Sequence, residues 1–314
     1  MKNHFLASIS KIIEKLQYHH KIRCHYKFMN RSNSKDKLCI VLAGYKSFLY
    51  ESVFDRLTKY VNDDIDVCII TSGLYSKEIS SICEKNNWSY LSTKENNVCL
   101  VQNLAIELHK SANYIFKLDE DIFITKDYFK KMYDAFLRIK KTGNYQIGFL
   151  APLIPINGYG HLRLLQKLNL VEYYTNKFEK PTFAADPNKM IENNCDVAKF
   201  FWGENHIIPP IDELNEDFGK ENFSYTICPI RFSIGAILFT REEFMRMGMF
   251  PVGRRNSNSL GSDEVRFCVY CMKESRIIAV ADNVVVGHLS FGNQNAEMKK
   301  YYLENKDKFL TPQN

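Results

Sequence analysis

In NYIFKLDEDIFI, residues 113–124, an apolar run ends in three consecutive acidic residues. The run has the length and composition of a buried β-strand. Side chains alternate along a strand, so Asp119 and Asp121 are expected to point to one side and Glu120 to the other. Carboxylates this close repel each other unless a cation lies beside them. Because Mg²⁺ and Mn²⁺ favour carboxylate oxygens, the segment predicts a metal site, although a solvated acidic loop also fits these three residues taken alone.

The sequence on both sides of this segment alternates between short apolar runs and stretches with helical periodicity. This alternation is typical of an α/β fold with a parallel sheet covered on both faces. Right-handed crossovers then bring the carboxyl ends of the strands to one edge, where open α/β sheets bind ligands. The predicted strands are 37–44, 66–73, 88–93 and 113–124, and the predicted helices are 48–61, 76–87, 97–110 and 127–141.

The regular alternation weakens after residue 150. Residues 151–225 contain a Pro-rich turn and an aromatic cluster, and they predict an insertion of short helices and loops. The pattern returns with a predicted strand over 230–240, helices over 241–248 and 260–275, and one or two strands over 276–291.

The N-terminal segment differs from the rest of the chain in charge. The net charge is +6, yet residues 1–37 alone hold nine Lys or Arg and only two acidic residues. The remainder is near neutral, which argues against a body that binds nucleic acid. We divide the chain into a basic amphipathic segment with a polar linker, 1–36, and a body, 37–314. The predicted helix either makes peripheral contact with an anionic membrane through residues 1–27, or packs on the body or a partner subunit.

The cysteines and the hydropathy pattern predict a cytoplasmic protein, peripheral on the inner face of the membrane if the N-terminal segment binds there. The nine cysteines are scattered, odd in number, and several lie within apolar runs, as is typical of reduced, buried thiols. We find no apolar run of about 18 residues, and no signal peptide is evident.

The run from Leu38 to Thr125 resembles the nucleotide-binding half of glycosyltransferases with the GT-A fold, especially the broad family 2-like group. The order of elements agrees, and the motif Phe116-Lys-Leu-Asp-Glu-Asp121 stands where that family places its DxD acids. The helix residues Val101-Gln-Asn-Leu-Ala105 resemble the helix before the DxD strand, where Ala-Arg-Asn is common. Gln102 stands here in place of the Arg. The body would accordingly divide into a nucleotide-sugar-binding half, 37–150, and an acceptor-binding and catalytic half, 151–314.

Three later features also match the family in order. The segment from Gly235 to Phe244 resembles its glycine-containing strand and helix beside the acceptor. Asp263 and Glu264, at a predicted helix start, resemble the acidic pair that supplies the catalytic base, and the sequence leaves open which of them is the base. His288 ends an apolar strand, where metal-dependent members have a histidine that completes the metal shell. The resemblance thus implies a divalent metal, Mn²⁺ or Mg²⁺, held by Asp119, Asp121 and His288.

The resemblance implies a metal-dependent, inverting hexosyltransferase. It would move a sugar from a nucleoside diphosphate sugar, with a UDP-sugar favoured, to a hydroxyl of a glycan or lipid-linked acceptor in surface polysaccharide synthesis. The implied donor and nucleotide residues are Ala43, Gly44, Tyr45, Thr71, Ser72, Asn103, Lys117, Asp119 and Glu120. The residues of the insertion expected at the acceptor are Tyr159, His161, Trp202 and His206.

Two other functions compete with this interpretation. A nucleotidyltransferase acting on a sugar phosphate would also use acids at strand ends, but it would normally carry a Gly-rich, basic loop after the first strand, and LAGYKSF offers one Gly and one Lys there. A non-catalytic GT-A-like subunit would bind a partner through its basic segment. The joint presence of four residues argues against that function: Asp119, Asp121, Asp263 and His288.

Overall fold

The computed structural model describes Ile9, Ile12 and residues 25–253 and 258–312. Its strands are shorter and more broken than the apolar runs suggest. They are β1 (Tyr26–Met29), β2 (Lys37–Ala43), β3 (Ile65–Ser72), β4 (Ser89–Thr93), β5 (Tyr114–Asp119), β6 (Ile122–Phe123), β7 (Ile147–Leu153), β8 (Tyr225–Ile227), β9 (Ala236–Thr240), β10 (Ile277–Val285) and β11 (Gly287–His288).

Helices alternate with these strands through the first half of the chain. They are α1 (Tyr50–Tyr60), α2 (Lys77–Lys85), α3 (Val98–Leu108), α4 (Tyr128–Thr142), α5 (Gly160–Lys167), α6 (Val171–Lys177), α7 (Met190–Asn193), α8 (Cys195–Phe201), α9 (Ile211–Lys220), α10 (Arg241–Met247), α11 (Ser262–Lys273) and α12 (Asn295–Glu304). No helix in the described part of the chain combines the length and the hydropathy needed to cross a membrane.

The chain forms two compact units, and each is discontinuous in sequence. The first unit comprises Met1–Tyr45, Asp63–Asp119 and Leu238–Glu274. The second unit comprises Lys46–Asn62, Glu120–Ile237 and Ser275–Asn314. The boundary between Asp119 and Glu120 therefore divides the acidic motif.

The first unit is built on a mostly parallel sheet, which confirms the predicted α/β organisation. Strands β4, β3, β2 and β5 are parallel neighbours, with Leu38 of β2 opposite both Asp66 and Ile115. Every residue of β3 is buried, because both faces of the sheet are covered and α3 packs on this strand. The parallel strands end together at Ala43, Ser72, Thr93 and Asp119, so the loops that follow them share one edge of the sheet.

The segment that precedes β2 belongs to this unit rather than forming a free linker. Strand β1 pairs antiparallel with β4 at the edge of the sheet. The carboxylate of Asp66 accepts hydrogen bonds from the Ser32 hydroxyl at 2.5 Å and from the backbone N–H groups of Asn33 and Lys35 at 2.9 and 3.1 Å. Polar composition alone predicted a linker here, because the anchoring carboxylate lies about thirty residues further along the chain. The amphipathic helix predicted within residues 1–27 lies outside the described residues, apart from Ile9 and Ile12, which are helical and exposed.

Replacing Asp66 by Asn is expected to destabilise the first unit by about 1.5–3 kcal/mol at pH 7, the range for hydrogen bonds to a charged group. Burial raises the pKa of Asp66, but its hydrogen bonds with Ser32, Asn33 and Lys35 lower it more, so the folded pKa lies below the ordinary value. The stabilisation is therefore complete above the unfolded pKa of about 3.9 and is lost as pH falls through the folded pKa. Urea unfolding at pH 7 and pH 3 checks this: the difference between wild type and Asp66→Asn should shrink at pH 3, and a constant difference would contradict it.

In the second unit, strands β7, β10 and β8 are neighbours, and β6 and β11 form a separate pair. Strand β10 is parallel to β7 and antiparallel to β8, and helices α4 and α9 pack against it. Strand β11 pairs antiparallel with β6, with Gly287 opposite Phe123 and His288 opposite Ile122. The predicted strand over 113–124 is thus split after Asp119, because residues 122–123 pair with β11 instead of continuing β5.

A fully buried arginine, Arg56 of α1, holds the second unit together. Its guanidinium binds the Asp212 carboxylate through two nitrogens, at 2.9 and 2.7 Å. It also donates to the carbonyl oxygens of Ile124, Phe309 and Leu310 at 2.8–3.1 Å. One side chain thereby joins α1, the segment after β6, the start of α9 and the C-terminal segment.

Candidate metal and carboxylate sites

The β6–β11 pair of the second unit brings Asp121 and His288 together. Besides the pairing of His288 with Ile122, the backbone N–H of Leu289 donates to the carbonyl oxygen of Asp121 at 3.0 Å. As a result, His288 Nε2 lies 3.5 Å from Asp121 Oδ2, although 166 residues separate them in sequence. Two of the three predicted metal ligands are therefore adjacent.

The hydrogen bonding of His288 determines what its ring offers to Asp121. Its Nδ1 lies 2.8 Å from the carbonyl oxygen of Ile156, which can only accept, so Nδ1 carries the hydrogen. In the neutral imidazole, Nε2 then directs a lone pair at the carboxylate. Two acceptors at this distance require a proton or a cation between them. A backbone carbonyl bound to the other ring nitrogen is also the usual partner of a metal-binding histidine.

The carboxylate of Asp121 is buried and charged. Its side chain is 6% exposed, and its Oδ2 forms an ion pair with the ammonium group of Lys46. Burial raises the pKa of Asp121, but the positive charges of protonated His288 and of Lys46, with the hydrogen bonds that they donate, lower it more, so the pKa lies well below the ordinary value. Asp121 is therefore an anionic carboxylate across the physiological pH range.

The Asp121–His288 pair fits a divalent cation as a partial coordination shell. Carboxylate oxygen and imidazole nitrogen both suit Mn²⁺, and such ions commonly leave other positions to water and phosphate oxygens. Among the described residues, no group of three or more His, Cys, Asp and Glu side chains is arranged to hold a metal. The described residues of the second unit thus offer two candidate ligands, Asp121 and His288.

Trp202, which precedes the loop before α9, fixes the backbone of this site. Its indole N–H lies 3.2 Å from the carbonyl oxygens of both His288 and Leu289. Its ring meets Phe123 edge to face at 5.2 Å. A methyl group added at Gly287 would lie 2.5 Å from the ring, so the close approach depends on glycine. Sequence reasoning missed this role, because nothing near Trp202 in sequence indicates its contact with β11.

A second charged cluster lies in the first unit around Lys117 of β5. Lys117 is 2% exposed, and its ammonium lies 2.6 Å from Asp119 Oδ1. Burial lowers the pKa of Lys117, but the carboxylates of Asp119, Asp263 and Glu264 raise it above the ordinary value. The lysine therefore stays charged, and these carboxylates form the acidic surroundings that stabilise it.

Gln102 of α3 orients Asp263 within this cluster. Asp263 is buried in the first turn of α11, and its Oδ2 accepts a hydrogen bond from Gln102 Nε2 at 2.9 Å. Gln102 is fully buried and donates also to the carbonyl oxygen of Val98 at 3.1 Å. Glu264, by contrast, is half-buried. The residue that departs from the family's Ala-Arg-Asn run thus fixes one of the two acids predicted to be the base.

The predicted nucleotide residues lie at the carboxyl ends of β2 and β3. Tyr45 is 59% exposed, and its hydroxyl donates to the carbonyl oxygen of Ser72 at 2.7 Å, which holds the ring at this edge. Gly44, with φ of +127°, makes the turn before it. The hydroxyls of Thr71 and Ser72 are buried and organise the next turn: Thr71 donates to the Leu74 carbonyl oxygen at 2.7 Å, and Ser72 accepts from the Asn97 N–H at 2.5 Å.

The remaining predicted donor residues are interior. Ala43 is buried at the end of β2, and Glu120 is buried in the second unit. Asn103 is fully buried, donates to the carbonyl oxygen of Phe250 at 2.8 Å and accepts from its N–H at 3.0 Å. The structure therefore gives Asn103 a role in anchoring the loop before α11. Because its side chain is fully buried, it is out of reach of a nucleotide sugar.

The four residues predicted at the acceptor all lie in the second unit, but in different surroundings. Tyr159 is buried and stacks on Phe183 at 4.8 Å. His161 is 2% exposed with Nδ1 bonded to the Asn157 carbonyl oxygen, and burial lowers its pKa to about 4, so it is neutral at pH 7. Trp202 and His206 line a cavity of about 1190 Å³. Of the four side chains, only that of His206 is exposed.

No family model matches the chain, and no curated protein matches it. Among solved structures, the chain is similar to the mannosyltransferase PcManGT from Pyrobaculum calidifontis, determined in complex with GDP-Man and Mn²⁺. The two sequences are 12% identical, the match covers 91% of this chain and 67% of that chain, and the TM-score is 0.47.

Proposed function

We propose that the protein is a metal-dependent glycosyltransferase, which moves a sugar from a nucleoside diphosphate sugar to a hydroxyl group. The observation that carries the proposal is the Asp121–His288 pair, in which Oδ2 and Nε2 lie 3.5 Å apart and the carboxylate is buried. Such a pair is suited to hold a cation that faces a phosphate group. It agrees with the position of the DxD motif and of the later histidine in the sequence resemblance.

Asp121 and His288 would hold the metal, Mn²⁺ or Mg²⁺. When bound, a divalent ion supplies positive charge that stabilises the diphosphate leaving group. The protein's contribution is to fix its two ligands beforehand: Ile156 orients the imidazole ring, and Trp202 holds the backbone that carries it. Preorganised charge of this kind needs no rearrangement during the reaction.

Asp263 or Glu264 would accept the proton of the acceptor hydroxyl, and we favour Asp263. Its hydrogen bond to Gln102 holds the carboxylate in one orientation, which a general base requires. Lys117 lies 2.6 Å from Asp119 and supplies positive charge near both acids. Direct attack by the activated hydroxyl on the anomeric carbon would invert its configuration.

The exposed ring of Tyr45 would stack on the nucleobase, for which uracil is favoured. Gly44 lets the backbone of this edge approach the nucleotide closely. Thr71 and Ser72 support this edge through the turn that they organise, rather than by touching the ligand. A glycan or lipid-linked acceptor in cytoplasmic synthesis of a surface polysaccharide remains the setting favoured by analogy with the family.

Asp263→Asn is expected to lower the turnover number by about 10²–10⁴-fold, because an amide cannot accept the acceptor proton. The matched variant Glu264→Gln is expected to lose less than about tenfold, since the hydrogen bond from Gln102 orients Asp263 as the base. Steady-state kinetics at saturating donor and metal separate the two. A larger loss of turnover in Glu264→Gln than in Asp263→Asn would identify Glu264 as the base.

Trp202→Phe is expected to weaken Mn²⁺ binding by about 10–100-fold, the usual cost of removing a group that orients a metal ligand. Phenylalanine retains the contact with Phe123 but lacks the N–H that holds the carbonyl oxygens of His288 and Leu289. Isothermal titration with Mn²⁺ measures the change. An unaltered affinity, with the fold intact, would show that the indole does not position His288.

A thermal-shift screen with UDP, GDP and CMP, each with and without Mn²⁺, tests the proposed function. We expect a nucleoside diphosphate to raise the melting temperature only with Mn²⁺, and the matching nucleotide sugar to release that diphosphate on incubation. Binding of CMP without recognition of a diphosphate would redirect the assignment. A lack of response to every diphosphate would contradict the proposal.

A further inference from the structure

Lys46 places a cation against the proposed metal ligand within the second unit. Its ammonium forms an ion pair with Oδ2 of Asp121, the same oxygen that lies 3.5 Å from His288 Nε2. The pair is largely shielded from water, since the side chains of Lys46 and Asp121 are 21% and 6% exposed. The lysine is therefore a specific partner of this carboxylate.

The backbone holds Lys46 in reach of Asp121. Its carbonyl oxygen accepts a hydrogen bond from the N–H of Leu49 at 2.9 Å, which closes the short 3₁₀ turn Ser47–Leu49. The side chain is long enough to move while its own backbone stays fixed, because its four-carbon stem has several rotatable bonds. The ammonium can thus leave the carboxylate without local unfolding.

An ammonium and a divalent ion cannot share this oxygen at low cost. Both would lie within a few ångströms of Oδ2, in a place where little water screens their mutual repulsion. The combined positive charge of an ammonium and a divalent ion would also exceed the single negative charge of the Asp121 carboxylate. A metal ion that binds Asp121 and His288 must therefore displace Lys46.

We infer that Lys46 is an internal counter-ion that occupies the cation position at Asp121 and competes with the divalent metal. Metal binding to the free protein is then weak. A diphosphate strengthens it, because the phosphate oxygens offer the displaced ammonium a new partner. This last step rests on the proposed function, whereas the competition itself concerns only Lys46, Asp121 and the metal.

Isothermal titration of the full chain with Mn²⁺ alone tests the competition. Lys46→Met removes the ammonium and keeps the length of the stem, so it should bind Mn²⁺ at least tenfold more tightly than wild type. Lys46→Arg keeps a cation and should stay as weak as wild type. Lys306→Met is the matched control, because it removes an ion-paired lysine of the same unit, at 3.2 Å from Glu51, and should change nothing.

The inference would be overturned if Lys46→Met bound Mn²⁺ no more tightly than wild type, or if the control Lys306→Met also bound it more tightly. It would also be overturned if none of the variants bound Mn²⁺. Adding Asp121→Asn to Lys46→Met should abolish the tight binding, which locates it at this carboxylate. Repeating the titration with UDP should tighten binding to wild type more than to Lys46→Met. Since the first titration uses no nucleotide or sugar, its result stands even if every transfer assay fails.

Discussion

Replacing Asp121 by Asn is expected to lower sugar transfer by about 10²–10³-fold, the range found when one preorganised group that stabilises developing charge is removed. Asparagine matches the shape of aspartate, and the hydrogen bond from Leu289 to the backbone carbonyl of residue 121 is kept. The change therefore removes the anionic ligand and leaves the β6–β11 pairing in place. Initial rates with a saturating nucleotide sugar and Mn²⁺ measure the effect.

The melting temperature of Asp121→Asn provides the control for folding. Lys46 loses its charged partner in this variant, and the pair is largely shielded from water, so the stability cost should lie between that of an exposed ion pair, about 0–1 kcal/mol, and that of a buried pair broken from one side, about 3–5 kcal/mol. A variant that folds normally and transfers sugar within about threefold of wild type, well short of the effects known for such groups, would remove Asp121 from the mechanism.

Replacing Arg56 by Met is expected to destabilise the protein by about 3–5 kcal/mol, the usual cost of breaking a buried ion pair from one side. The substitution leaves the Asp212 carboxylate and three carbonyl oxygens without their donor. Arg56→Lys should recover little of this loss, because an ammonium cannot reproduce the planar, two-nitrogen contact with a carboxylate. Thermal unfolding should show a decrease in melting temperature of roughly 6–20 °C.

Arg246→Met is the matched control for the arginine. It removes an exposed pair with Glu242 at 2.7 Å, and its cost should stay below about 0.5 kcal/mol. A similarly small effect for Arg56→Met would mean that water or neighbouring groups replace the donors of Arg56, and the second unit would then not depend on this residue.

The elements that could be predicted from the sequence are those with a local signal. Buried parallel strands are continuous apolar runs, so β2 and β3 were predicted to within one residue at each end, whereas the strand predicted over 113–124 begins as expected but ends as β5 at Asp119. Strand β1 and the anchored residues 30–36 were missed, because their partners, β4 and Asp66, lie far along the chain. Strand β7 was also missed, since its apolar run merges with the irregular segment that follows it.

In the candidate site, too, features with a local sequence signal were predicted and features that depend on distant partners were not. The acidic motif and His288 were singled out by residue type and position in the sequence, and the structure brings Asp121 and His288 together. The ion pair between Lys117 and Asp119 joins residues two positions apart. The ion pair between Lys46 and Asp121 joins residues 75 positions apart, so it was not predictable from the sequence. Roles that depend on such distant contacts, including that of Gln102, require coordinates.

The proposed function requires that Asp121 and His288 bind one divalent ion. Electron-spin-echo spectroscopy of Mn²⁺ bound to protein labelled with ¹⁵N-histidine, in the presence of UDP, tests it directly, because a coordinated imidazole modulates the echo at the ¹⁵N frequency. We predict a ¹⁵N coupling in the wild type that disappears in His288→Ala. A spectrum without the coupling, or one that is the same in both proteins, would contradict the claim.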